Sequence, residues 1–528
     1  MTHAPLRVRT ADVPDGGMAS FPHGDRKVLV VRDGDELRAF DAKCPHAGAD
    51  LGKGLRCGAR VVCPWHHATF SADDGHLLEP PALDGLKRYA LTRDGDAWEV
   101  AEEAQAPAKP PQGAADGHTL VVGGGAAGFM VAQSLRAAGY TGDLTMVTQE
   151  EWAPYDRTAL SKAYLTGKKK PETLPLGGGD WAQKQRVTLR SGARAEKLDH
   201  AAKRLHLAGG EVLPYDRVVV ATGASPKPLK VPGADLDGVY PLRSLADAEA
   251  LRAAAQGARV VVVGSSFIGL EAASSLVGEG GAQSVTVVGQ DAEVLGRALT
   301  PRVGRAIRRL HEDKGVRFVL EAEVERLDGG EKVEAVTLKG GERLDVDLVL
   351  LGIGVSPDTD LLAEWRDEKG AVHVDAALQL APDLYALGDI AAAPTVLGEM
   401  RVEHWRMALQ HGLAAAQAIL DVPGAAPMDA RVPFFWTQQY GKSLRYVGHA
   451  ESLDETHLWG DPDTLNFIEF TFDGERTVAA SGMGRDADLV AFEELLRLGR
   501  APGAAEVRSG EFSLPERLRD AAPSGRLS

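Results

Sequence analysis

Two segments of the chain repeat one pattern: a short apolar strand, a glycine-rich turn and the start of a helix. In the first, residues 120–122 lead into a turn with Gly123, Gly125 and Gly128; in the second, residues 259–263 lead into a turn with Gly264 and Gly269. Glycines at these spacings let backbone N–H groups at a helix N-terminus approach a pyrophosphate. Two such units predict a duplicated, doubly wound α/β body that binds two dinucleotides.

The 104 residues at the start of the chain have a different character. Short apolar runs alternate there with Asp-Gly turns, which predicts an all-β domain over residues 1–104. Residues 105–117 contain Pro107, Pro110 and Pro111, which is typical of a semi-stiff linker. We therefore expect the domains to separate at this linker, so that a chain starting near Gly117 folds and binds its cofactor alone.

The predicted N-terminal domain carries a pattern of metal ligands. Cys44 and His46 form one pair, and Cys63 and His66 form a second pair after a gap of 16 residues. Two thiolates and two imidazoles in this order suit a [2Fe–2S] cluster with cysteines on one iron and histidines on the other. The main alternative is zinc, but Cys₂His₂ zinc sites place both cysteines before both histidines. The pattern resembles Rieske-type ferredoxin domains over about residues 6–100.

Four further segments extend the first glycine turn into a longer pattern. They are Pro154-Tyr155-Asp156-Arg157, Leu160-Ser161-Lys162, Ala221-Thr222-Gly223 and Tyr385-Ala386-Leu387-Gly388-Asp389. Together they resemble the FAD-dependent ferredoxin reductases and the apoptosis-inducing-factor-like group of the glutathione-reductase superfamily, over about residues 118–450. The resemblance implies an FAD domain at 118–229 and 351–404, an NAD(P) domain at 230–350 and an α+β C-terminal domain at 405–528.

The same resemblance implies which residues bind FAD. They are Gly123, Gly125, Gly128, Arg157, Lys162, Ala221, Thr222, Gly223, Gly388, Asp389, Glu403, His404 and Trp405. The ribose of FAD usually meets an acid about 20 residues after the turn. Glu150 is favoured for that contact, with Gln149 as the alternative. Asp389 has a second interpretation as a helix N-cap.

For the nicotinamide half, the resemblance implies Gly264, Ile268, Gly269 and Glu271. Ser266 replaces the middle glycine of this turn, and Gly289 stands where NAD enzymes often carry an acid, so NADH versus NADPH is left open. Lys162 and Glu271 are expected to pair beside the isoalloxazine as the catalytic residues, where they would steady charge on the reduced flavin.

Composition excludes several other classes of protein. All three cysteines of the 528-residue chain lie in its first 63 residues, so the flavin domain has no redox disulfide. Cys57 is expected to be a core residue and His67 a bystander. A net charge of −16 argues against nucleic acid or an anionic membrane as partner. The start of the chain lacks an apolar leader, so we expect a cytoplasmic protein, either monomer or homodimer.

These features predict an electron-transfer flavoprotein. NAD(P)H would reduce FAD, and FAD would pass electrons singly to the protein's own Rieske centre and on to an oxygenase, a cytochrome or a similar redox protein. The alternative is a redox-sensing interaction protein like apoptosis-inducing factor, with slow turnover.

The ligand pattern generates the first testable prediction. Purified protein is expected to hold close to one flavin, two irons and two acid-labile sulfides per chain, measured by absorption and metal analysis. His46→Cys or His66→Cys should lower the cluster potential, because a further thiolate adds negative charge. Zinc in place of iron would contradict the prediction.

Overall fold

The computed structural model describes residues 6–522. The predicted fold class is confirmed: an all-β N-terminal domain precedes two doubly wound α/β units and a C-terminal α+β domain. Within the described residues, none of the helices combines the length and apolar character that crossing a bilayer requires.

The N-terminal domain consists of two antiparallel sheets. In spatial order, the strands of the six-stranded sheet are Leu6–Arg9, Ala97–Gln105, Arg88–Asp94, Glu36–Asp41, Arg26–Asp33 and Met18–His23. Those of the four-stranded sheet are Leu55–Cys57, Arg60–Val62, Thr69–Ser71 and Leu77–Glu79. Loop 42–50 follows the Glu36–Asp41 strand, and loop 63–68 joins the two central strands of the smaller sheet. These two loops carry the four predicted metal ligands.

The flavin body is built on a parallel sheet with one antiparallel edge strand. In spatial order its strands are Thr188–Arg190, Asp143–Val147, His118–Val122, Arg217–Val220, Leu384–Ala386 and Gln379–Ala381. Smaller sheets are formed by Ala195–Asp199, Arg204–Leu207 and Val212–Pro214, by Val372–His373, Ala391–Thr395 and Gly398–Arg401, and by the pair Ala224–Pro226 and Val355–Pro357. Valine-rich strands at the centre are buried on both faces, as a parallel sheet requires.

The nicotinamide unit repeats this architecture with a fully parallel sheet. Its strands, in spatial order, are Val239–Tyr240, Leu348–Leu351, Arg259–Val263, Ser284–Val288 and Val316–Val319. A three-stranded sheet of Val324–Gly329, Val333–Leu338 and Arg343–Asp345 packs beside it. The C-terminal domain has one antiparallel sheet, in the order Phe434–Gln439, Lys442–Gly448, Arg476–Met483, Asn466–Asp473 and Thr456–Asp461.

Helices cover these sheets. In the described part of the chain they are α1 (Ala126–Ala137), α2 (Trp181–Lys184), α3 (Leu245–Ala254), α4 (Phe267–Val277), α5 (Pro301–Glu312), α6 (Trp405–Ile419), α7 (Asp486–Arg497), α8 (Ala504–Ser509) and α9 (Leu514–Ala521). Helix α6 packs along α1 within the core of the flavin body. We therefore place the start of the C-terminal domain nearer Phe434 than the expected residue 405.

Residues 106–117 contain no helix or strand, in keeping with the predicted linker. They nevertheless lie against the flavin body. The backbone N–H of Gly113 donates to Ala138 O at 3.1 Å, and that of Ala114 donates to Leu420 O at 3.1 Å. The linker is thus held along the ends of α1 and α6.

The expectation that the domains separate at the linker differs from the structure. Arg406 of α6 is only 1% exposed; it donates to Pro80 O at 3.0 Å and His67 O at 3.2 Å, and pairs with Glu493 of α7 at 2.8 Å. Arg431 forms an equally buried ion pair with Glu79. A chain starting near Gly117 would leave both guanidinium groups without partners that the N-terminal domain supplies.

This interface generates the second prediction. Glu79→Gln should destabilise the whole chain by about 3–5 kcal/mol, because it leaves the Arg431 charge buried and uncompensated. The matched control is Glu211→Gln, which breaks the exposed Arg190–Glu211 pair and should change stability little. Thermal melting of both variants measures the difference. Equal melting temperatures for the two would contradict an energetically important interface.

Candidate active site

The four predicted metal ligands lie together at one end of the N-terminal domain. The thiols of Cys44 and Cys63 are within hydrogen-bonding reach of each other, and the rings of His46 and His66 are 4.7 Å apart between centroids. Burial lowers the pKa of His46 to about 4 and that of His66 to about 2, so both rings are neutral, the form that binds metal. The hydrogen bond with Cys63 and burial raise the pKa of Cys44, a cost that a bound cation would remove.

This arrangement fits an iron–sulfur cluster better than zinc. Zinc needs four ligand atoms about 2.0–2.3 Å from one point. A two-iron group takes two thiols at one end and two imidazoles at the other, which is the pairing that the loops present.

The first glycine turn has the shape that a pyrophosphate requires. Gly123 has φ of 120°, and a Cβ built on it would lie 2.1 Å from Ala221 O, so only glycine fits there. Gly125, by contrast, faces open space, because a Cβ built on it would have no atom within 4 Å. Gly128 begins the close contact of α1 with the turn, where a Cβ would lie 2.0 Å from Gly123 O. The residues present therefore fit FAD.

The side chains around the rest of the predicted FAD site are held by one another. Asp389 accepts a hydrogen bond from Arg243 at 2.8 Å, and Gly388 N–H donates to His411 at 3.0 Å. Asp389 lies inside the short helix Gly388–Ile390 and is not its N-cap. Thr222, between Ala221 and Gly223, donates to Asp358 O at 2.6 Å.

Glu150 and Gln149 differ in what they contact. Glu150 accepts from Tyr155 at 2.6 Å and forms an ion pair with Arg157, so its oxygens have partners already. Gln149 is exposed. At the far side of the site, the backbone N–H of Arg406 donates to the His404 ring, whose pKa burial lowers to about 3. Glu403 pairs with Arg401 at 2.5 Å and Trp405 is half-buried.

Lys162 and Glu271 meet, although 109 positions separate them in the chain. Lys162 Nζ lies 2.5 Å from Glu271 Oε2, which also accepts from Ser161 Oγ at 2.6 Å. The other carboxylate oxygen accepts from Thr437 Oγ1 at 2.7 Å. Glu271 thereby joins the nicotinamide unit to the flavin body and the C-terminal domain. Lys162 lies in a π-helical turn, Leu160–Tyr164, a conformation common at functional sites.

The second glycine turn accommodates its serine. Ser266 Oγ donates to Gly352 O at 2.9 Å, which turns the hydroxyl back onto the neighbouring segment. Gly264 and Gly269 pack against each other as in the first turn, and Ile268 is 44% exposed. Gly289 has little room for a side chain, because a Cβ would lie 2.7 Å from Ser265 Oγ.

No sequence motif indicated Trp436, which lies between the two predicted redox sites. Its ring centroid is 4.5 Å from that of His66 and 5.1 Å from that of His404. A cleft of about 630 Å³ runs alongside, lined by His46, His66, Lys162 and Trp436 among others. Only the contact between domains gives this tryptophan its position, so no local motif could have revealed it.

The expected bystander at position 67 is also part of the interface. His67 is fully buried, its Nδ1 contacts Glu493 and its ring stacks on Phe434 with centroids 4.1 Å apart. Cys57 packs in the apolar core that the C-terminal domain shares with it, as expected of a core residue.

Comparison with known proteins places each part of the chain. Residues 5–90 match the Rieske [2Fe-2S] domain, residues 117–412 the pyridine nucleotide-disulphide oxidoreductase family, and residues 434–518 the reductase C-terminal domain. Human apoptosis-inducing factor 3 is 34% identical over 94% of this chain and 84% of its own length.

Two reductases match the chain beyond its N-terminal domain. A probable ferredoxin reductase of Castellaniella defragrans is 33% identical over 72% of this chain and 94% of its own length. The crystal structure of the covalent putidaredoxin reductase–putidaredoxin complex aligns with a TM-score of 0.72 at 30% identity, over 78% of this chain and 99% of that one. Because residues 5–90 match the Rieske [2Fe-2S] domain, the zinc alternative is wrong. The chain belongs to the pyridine nucleotide-disulphide oxidoreductase family, as an NAD(P)H-dependent flavoprotein oxidoreductase with an N-terminal Rieske [2Fe–2S] domain.

Proposed function

We propose that this enzyme passes electrons from NAD(P)H through FAD to its own Rieske centre and from there to a separate redox protein. The observation that carries the proposal is the position of Trp436, which packs on the predicted cluster ligand His66 on one side and on His404 of the predicted flavin site on the other. The predicted cluster ligands His46 and His66 thus line the same cleft as Lys162 of the predicted flavin site.

The bound flavin would supply the conversion of a two-electron donor into one-electron transfers. The chain's own residues position that chemistry. The Lys162–Glu271 pair places a cation beside the charge that flavin reduction creates, and buried donors hold the carboxylate in place. Arg406, Glu493 and His67 keep the cluster loops against Trp436.

The proposed route makes the cluster obligatory for protein acceptors, which is the third prediction. Cys44→Ser should lose the cluster, but NADH or NADPH should still reduce its flavin. Anaerobic absorption spectra recorded with each nucleotide measure that reduction. The variant's reduction of cytochrome c, a one-electron protein probe, should fall to background. Ferricyanide, a small acceptor able to reach the flavin, serves as the control and should still be reduced. A variant that reduces cytochrome c as fast as wild type would exclude the route.

The bridging tryptophan provides the fourth prediction. Trp436→Leu should slow electron transfer from reduced flavin to the cluster by about tenfold or more, because it removes the ring that fills the space between them. Reduction of the flavin by NAD(P)H should change much less. Stopped-flow absorption separates the two steps. Trp365→Leu, a half-buried ring at the edge of the flavin body near His200, is the matched control and should leave both rates unchanged.

A second candidate function is a redox-sensing interaction protein with slow turnover. The similarity to human apoptosis-inducing factor 3, which extends over the Rieske domain as well, favours it. Steady-state NAD(P)H oxidation with a one-electron acceptor distinguishes the two, because the sensor would turn over slowly even at saturating acceptor.

A further inference from the structure

A chain of buried hydrogen bonds connects Glu271 on α4 with His311 on α5 of the same nicotinamide unit, through residues of the C-terminal domain. Thr437 Oγ1 lies 2.7 Å from Glu271 Oε1, and Gln439 Nε2 lies 3.2 Å from Thr437 Oγ1. Gln439 Oε1 is 3.0 Å from His311 Nε2, and His311 Nδ1 is 3.1 Å from Tyr440 OH. The chain therefore begins on α5, crosses the end of the Phe434–Gln439 strand and ends at the carboxylate that pairs with Lys162.

Every donor in this chain points the same way. Burial lowers the pKa of His311 to about 4, so the ring is neutral and has one N–H. The Gln439 amide oxygen can only accept, so His311 Nε2 carries that hydrogen and Nδ1 accepts from Tyr440. The Gln439 amide then donates to Thr437, and the Thr437 hydroxyl donates to Glu271. Hydrogen bonds aligned in series polarise one another.

Burying these polar side chains costs free energy unless their polar groups have hydrogen-bond partners. His311 is fully buried, and Thr437 and Gln439 are 2% and 4% exposed. An apolar set of the same volume would fill the space between α5 and the strand without needing partners. The proposed function uses Thr437 only to hold the Glu271 carboxylate in place, and it gives His311 and Gln439 no role.

We infer that His311, Gln439 and Thr437 are positioning residues that set the charge which Glu271 presents to the flavin. The inference rests on the proposed place of the Lys162–Glu271 pair beside that flavin. With the donors in place, part of the carboxylate charge is neutralised. When the chain is broken, Glu271 presents more negative charge to a group that itself becomes negative on reduction, which makes reduction harder.

Two variants test this directly. Thr437→Val removes the last donor without changing shape, and should slow flavin reduction by NAD(P)H about tenfold. His311→Phe removes an earlier donor and should slow it about threefold. His311→Gln, whose amide can reach the position of Nε2, should restore most of the lost rate.

The inference also predicts non-additivity. In a Glu271→Gln background there is no carboxylate to neutralise, so adding His311→Phe or Thr437→Val should cost nothing further. The matched control is Phe318→Leu, which alters the apolar packing on His311 without removing any group of the hydrogen-bond chain. Equal losses in both backgrounds, or a loss from Phe318→Leu as large as that from His311→Phe, would show that only packing matters and would overturn the inference.

A readout independent of turnover separates this inference from the proposed function. The flavin midpoint potential, titrated with dithionite and reference dyes, needs neither NAD(P)H nor an acceptor. His311→Phe and Thr437→Val should lower it, whereas Glu271→Gln should raise it. Failure of NAD(P)H to reduce the wild-type flavin would refute the proposed function alone. Unchanged flavin potentials in His311→Phe and Thr437→Val would refute the positioning role alone.

Discussion

Three domains meet around the guanidinium of Arg406. The residue belongs to the flavin body, yet it binds two backbone carbonyls of the N-terminal domain and the carboxylate of Glu493 in the C-terminal domain. Its charge also lies 5.0 Å from the ring of Phe434. A buried cation tolerates loss of its partners badly, so each domain supplies something the other two cannot replace. The position of the cluster loops follows from that mutual dependence.

Glu271, like Arg406, is a buried charged residue that contacts groups from other domains. Its donors come from the flavin body and the C-terminal domain, and it lies on a helix of the nicotinamide unit. Trp436 and Thr437 are neighbours on one strand, so the segment that closes on the carboxylate also places the ring against His66. In the proposed route, the electrostatics of the hydride step and the geometry of the electron step would therefore depend on adjacent residues.

Local patterns were enough to predict the fold class, the Rieske domain and the reductase family. The Cys-His pairs and the glycine turns each bring together residues close in the chain, and such spacing is readable from sequence. The Lys162–Glu271 contact needed a family resemblance, because no spacing relates them. The packing of the domains determines the position of Trp436 and the burial of Arg406 and His67. The proline-rich linker suggested independent domains, so this packing was not expected. How the turn accommodates Ser266 in place of a glycine is seen only in the three-dimensional structure, where its hydroxyl donates to Gly352 O.

The buried ion pairs between the domains also bear on the response to dissolved salt. Two separate redox proteins that meet through exposed charges lose contact as ionic strength rises, since mobile ions screen exposed charges within about 10 Å at 0.1 M. The Arg431–Glu79 and Arg406–Glu493 pairs exclude those ions, because each arginine is almost completely shielded from solvent. The contact between the N-terminal domain and the rest of the protein should therefore weaken neither on dilution nor at high salt concentration.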